Sequence, residues 1–118
     1  MNKVRDLLKK RAEVVFPQKL NEISQKVGVP YGKCLINLRL SKAWAQYDRA
    51  TGDIEFSLSA IQLPEENFES ICIHELTHSF AAGHDGAFRV KFRQLAGQHL
   101  YELDSVHHRH GKWPSLKI

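Results

Sequence analysis

The chain has 118 residues, 42% hydrophobic and 25% charged, with a formal net charge of +4. That is the size and composition of one small globular domain, read here as a single unit over 1–118, which excludes a disordered, collagen-like or coiled-coil chain. A membrane-crossing helix needs about 20 apolar residues in succession, and runs such as Val14–Phe16 and Ala43–Ala45 are three long. The basic start around Lys3, Arg5, Lys9, Lys10 and Arg11 has no apolar stretch behind it, unlike a signal peptide. The expectation is a cytoplasmic protein with no membrane partner.

In chain order, Val4, Leu7, Leu8, Ala12 and Val15 recur at helical spacing, so a helix is expected over about 2–15. Pro17 is expected to open a second helix with Leu20, Ile23 and Val27 inward, stopped by Gly28 and Pro30. Residues 33–40 read as a strand with Cys34, Ile36, Leu38 and Leu40 on one face. A second strand is expected at Ala43–Asp48, a hairpin loop at 49–52, and a third strand at Asp53–Leu58. Pro64, Glu65 and Glu66 open a helix predicted to run to Ala82 and stop at Gly83. Asp85 suits the cap of a last helix carrying Phe88, Phe92, Leu95, Ala96 and Leu103 on one side. The order predicts an α+β fold: N-terminal helices, a small three-stranded antiparallel sheet, a motif-bearing helix and a following C-terminal helix. Cys34 and Cys72 stand far apart in sequence and form no C-x-x-C pair, so both read as buried reduced thiols.

Charge is unevenly spread. Residues 1–11 carry five basic side chains and one acidic, 12–84 six and nine, and 85–118 six and three. The basic ends keep a nucleic-acid partner open, although a solvated helix face has the same composition and no aromatics interleave the basic run.

The chemistry concentrates in His74-Glu75-Leu76-Thr77-His78. Histidines four apart lie one turn apart on one helix face, where their imidazoles can share a zinc ion. Stepping 100° per residue, Phe68, Cys72, Leu76, Phe80 and Ile73 fill an apolar arc of roughly 140°, with His74 and His78 outside it. Glu75 is turned away from the ligand pair, placed to hold a water as general base. A catalytic zinc takes three protein ligands, and His84, released by Gly83, is at workable distance for the third. The spacing matches the longer metzincin pattern, but the glycine is displaced and no Met-turn follows.

Ile71–His78, with Gly83-His84-Asp85 and Phe88, resembles the YgjP-like zinc metallopeptidases and their SprT-like relatives, which share a gluzincin-type layout. Upstream, Ile36–Leu40, Trp44, Gly52–Ile54 and Leu63-Pro64 fall in the order of that family, so the resemblance covers about residues 30–95. Trp44-Ala-Gln-Tyr47 stands where the family has Trp-Gly-Ser, and Gly83 and Asp85 flank the third histidine where it has Asn and Ser. The resemblance implies a minimal zincin-like domain that hydrolyses peptide bonds, with zinc on His74, His78 and His84 and Glu75 as general base. It also implies an edge strand that binds substrate, for which Asp53–Leu58 is the candidate. Tyr47, Arg49 and His99 are candidate oxyanion stabilisers. His99 is also expected to pack on the apolar face of the last helix, or to orient a ligand, and Trp44 to pack in the core or line a pocket. His107, His108 and His110, which Asp104 could join, read as an exposed tail with some affinity for metal. The alternatives are a non-hydrolytic zinc domain that binds nucleic acid or protein, and a SprT-like protease acting on DNA-bound proteins. The sequence leaves substrate and oligomeric state open.

Overall fold

The computed structural model describes residues 3–40 and 43–109, side chains of 105–109 excepted. It opens with one helix, α1 (Lys3–Val27), which runs straight through Pro17. The two expected helices are therefore a single element. A proline inside a helix costs about 3 kcal/mol, but Ala12, Phe16, Leu20 and Ile23 form one buried stripe across it. Burying each large member contributes about 1.5–3 kcal/mol, enough to hold the helix through the proline. Gly28, at φ 74°, then turns the chain out of α1.

Three strands follow: β1 (Cys34–Asn37), β2 (Ala45–Tyr47) and β3 (Ile54–Ser57). The sheet order is β1-β3-β2. β2 runs antiparallel to β3, but β1 runs parallel to it, in register Cys34↔Ile54 and Ile36↔Phe56. The sheet is thus mixed, not purely antiparallel as the sequence led us to expect. β3 takes the centre because it is the most fully buried strand: Ile54, Phe56 and Ser57 are all enclosed, while Leu35 of β1 and Gln46 of β2 face outward. β1 ends at Asn37, whose Oδ1 accepts the Arg39 amide and turns the chain, leaving Leu38 exposed instead of on the inner face.

A 3₁₀ turn (Leu58–Gln62) leads to Pro64 and α2 (Glu65–Thr77), which packs across α1 and β2. α2 is shorter than the predicted run to Ala82. Beyond Thr77 the amides of His78, Ser79 and Phe80 bond three residues back, to Glu75, Leu76 and Thr77, tightening the chain out of the α-helix. Phe80 therefore leaves the apolar stripe; it is exposed, with the Lys91 ammonium 4.3 Å from its ring centre. Asp85 caps α3 (Gly86–Ala96) by accepting the Phe88 amide. The expected single last helix divides at Gly97, φ 85° and ψ 165°, and restarts as α4 (Gln98–Arg109). The core is centred on Phe16, Phe56 and Phe68, one from each of α1, β3 and α2, with ring centres 5.0–5.1 Å apart. Cys72 is fully buried and Cys34 only half-buried; both are free thiols, and burial pushes Cys34 up to about 11.

Candidate metal centre

The last turns of α2 carry His74 and Glu75 into the interior, where they are only 5% and 6% exposed. His78, one turn on, is half-buried and ends the helix. The turn through Gly83 brings His84 back over them. His74 Nε2 and His84 Nε2 lie 3.0 Å apart, and one nitrogen from each of His74, His78 and His84 falls within a 4.8 Å spread. Phe88 of α3 lies under all three rings, with centres 4.9, 4.7 and 4.9 Å from those of His74, His78 and His84.

The outward nitrogens are fixed by what holds the inner ones. His74 Nδ1–H donates to Asp104 Oδ2 at 3.0 Å, and His78 Nδ1–H donates to the Ala81 carbonyl at 3.0 Å. Both rings thus present a bare Nε2 lone pair, the form a metal needs. Burial lowers the His78 pKa, with the positive charges of His74, His84 and Arg49 acting in the same direction and the Ala81 hydrogen bond opposing them. Nitrogens at about 2.0–2.1 Å from a tetrahedral ion stand about 3.3 Å from one another, so the 3.0 Å His74–His84 separation is already close to what zinc or a similar cation needs.

Glu75 Oε2 is 3.9 Å from His74 Nε2. Burial, and then the Asp104 charge, raises its carboxyl well above the ordinary range. Beside the triad a cavity of about 300 Å³ opens between α2, α3 and α4, walled by Phe88, Phe92 and Tyr101 with Asp104.

The remaining expectations divide. Arg49 Nη1 donates to the His78 carbonyl at 2.7 Å, and the Tyr47 ring centre lies 6.3 Å from that of His78, so both border the site. His99 does none of the three things expected of it, neither bordering the site as an oxyanion stabiliser, nor packing on the apolar face, nor orienting a ligand: it is exposed and pairs with Glu66 at 3.0 Å, because the restart at Gly97 turns it toward the start of α2. Trp44 packs against the core. Asp53–Leu58 is not an edge, since β3 is flanked on both sides; the edge next to α2 is β2. Asp104 bonds His74, and the side chains of His107, His108 and His110 lie outside the described residues.

Residues 1–100 match the family model of the YgjP-like metallopeptidase domain. The chain belongs to this family. No curated protein matches its sequence. Among solved structures, it resembles the metallopeptidase zymogen of Pyrococcus abyssi abylysin, with a TM-score of 0.65 at 21% identity, covering 81% of this chain and 95% of that one. At that identity the likeness shows a shared fold. For a YgjP-like metallopeptidase, the three histidines and Glu75 were legible as a motif, whereas Asp104 and Phe88 acquire their contacts to it only in three dimensions. The one signal for Asp104 was an acid placed three and four residues after Tyr101 and Leu100, which both pack against the core.

Proposed function

We propose that this chain is a zinc-dependent peptidase in which His74, His78 and His84 hold the metal and Glu75 is the general base. The observation that carries the reading is the convergence of three imidazole nitrogens beside a buried carboxyl that is not itself needed as a ligand. A metal ion held there supplies Lewis acidity and makes a water acidic enough to act near neutral pH. Glu75, buried beside the three histidines, would be the group that holds and moves a proton between an attacking water and the leaving amine. Its burial beside the triad supports this role, because a carboxyl enclosed there is kept from bulk water. Asp104 holds the His74 ring in its metal-binding tautomer.

Substrate is proposed to lie along β2. Among the described residues β2 pairs with β3 alone, so its other edge can take an extended peptide as an added strand. A groove of about 530 Å³ lies across the outer face of the sheet, where Leu35, Glu55 and Gln46 stand in one row, and reaches Tyr47 and Arg49 at the end of β2. Arg49, anchored on His78, is the proposed stabiliser of developing negative charge.

The test is metal content and peptide hydrolysis of wild type, His84→Ala and Glu75→Gln. Wild type should carry about one zinc per chain and His84→Ala clearly less. Glu75→Gln should keep its zinc and lose at least about 100-fold in hydrolysis. A zinc-free wild type that takes up no added metal would overturn the assignment, and an active Glu75→Gln would remove Glu75 from its role.

A further inference from the structure

Away from the histidines, the first turns of α1 carry a face for which the core has no use. Buried residues of α1 begin at Ala12; before it, only Leu8 packs against the core. Val4, Leu7 and Val14 are exposed by 49%, 66% and 65%. With Arg11 they follow one another at steps of three, four and three residues, which sets them in one line along the helix. Lys3 and Lys10, also exposed, stand beside this line, each one residue before Val4 and Arg11. Asp6 and Glu13 fall further round, beyond the lysines. Arg5 falls on the other side of the helix, where it donates to the Leu38 carbonyl and takes no part in this face.

We propose that this face binds an anionic lipid surface, with Val4, Leu7 and Val14 entering the headgroup region and Lys3, Lys10 and Arg11 paired with lipid phosphates and carboxylates. Both components of the face argue for that partner. Val4, Leu7 and Val14 fall in one line and so add contiguous apolar area to a helix lying in a bilayer interface. Lysine and arginine beside them reach the anionic headgroups with their tips while their stems stay in the apolar zone. Nucleic acid fits less well, since the only aromatic of α1, Phe16, is buried and cannot stack on a base. A second copy of the same helix fits less well again, because pairing along this line sets Arg11 and the lysines against their own kind. Lying on a bilayer does not require a crossing segment, and among the described residues no helix is long and apolar enough to cross one. The expectation of no membrane partner rests on crossing alone.

The experiment is co-sedimentation of the full chain with vesicles of phosphatidylcholine, with and without about 30% phosphatidylserine, at two salt concentrations. Binding is expected only with phosphatidylserine and should weaken as salt rises. Lys10→Gln and Arg11→Gln should each weaken it about fivefold, and Leu7→Glu should abolish it. These positions are exposed, so unchanged far-UV circular dichroism will establish that the variants fold. Equal partitioning to neutral vesicles, or none to either, would overturn the proposal. So would anionic binding that Leu7→Glu leaves intact, a solution dimer that Leu7→Glu dissociates, or tight duplex-DNA binding indifferent to Leu7.

Discussion

Asp104 illustrates what a single side chain adds to the motif. The carboxylate receives the Nδ1 proton of His74 with both groups buried, so the ring is held in one tautomer and one orientation. Asp104→Asn keeps the shape but removes the charge that favours that tautomer, and zinc affinity measured by chelator competition should fall about 10–100-fold. A site whose affinity is unchanged by Asp104→Asn would mean that packing against Phe88 and Phe92 alone orients the ring. Glu75 carries a second prediction, for protein stripped of metal. Its folded pKa lies above the unfolded value, so the folded state holds the proton more tightly. Stability should therefore be highest below the ordinary carboxylate range and fall as pH rises from there toward the raised folded value. Glu75→Gln, which cannot ionise, should flatten that fall in urea unfolding curves recorded with EDTA. His74, Glu75 and His78 were legible because helical spacing alone puts them together, and His84 because Gly83 just before it can turn the chain back. Asp104 was not, because its partner is on another helix and its nearest histidines in sequence are those of the tail.

The helices and strands follow their sequence signals where those signals are local. Asp85 caps α3 as its position suggested, and the acids after Pro64 open α2. Where burial competes with a local signal, burial decides: Pro17 stays within α1 because the stripe from Ala12 to Ile23 is continuous across it. The order of the sheet lies beyond alternation, which assigns faces but not neighbours. The opposite case is Gly97. A glycine in an apolar period is compatible with an unbroken helix, yet its φ of 85° with ψ of 165° belongs to a region that is essentially glycine's own. That break lets α4 fold back over α2 and deliver Asp104 to His74. Gly97→Ala should cost about 1–3 kcal/mol in urea unfolding, and it should weaken zinc binding as well, because an α4 displaced from α2 takes Asp104 with it. A loss of stability with unchanged zinc affinity would separate the break from the site.

The domain is held at its centre by three phenylalanines from three elements, and the histidines are secured only as well as α2 is. Phe16 is stacked on Phe68 at an interplanar angle of 18° and tilted against Phe56, and it is 1% exposed. It joins α1 to the helix that bears the motif. Ion pairs of Lys19 with Glu65 and Lys26 with Glu69 span the same junction, but exposed pairs of this kind are screened by solvent and contribute little. The ring cluster is therefore the principal tie between α1 and α2. Phe16→Ala removes a ring from a closed cluster and should cost about 3–5 kcal/mol. Domains of this size are stable by about 5–15 kcal/mol in total, so the variant should sit near its unfolding threshold and lose zinc together with structure. Phe16→Leu refills most of the space and should keep the metal with a smaller loss of stability. If Phe16→Ala unfolds at the same urea concentration as wild type, α1 is an appendage and the motif helix is held by α3 and α4 instead. Cooperative loss of structure and zinc would establish that α1, from its proline to its last buried turn, is part of the frame that presents the three histidines.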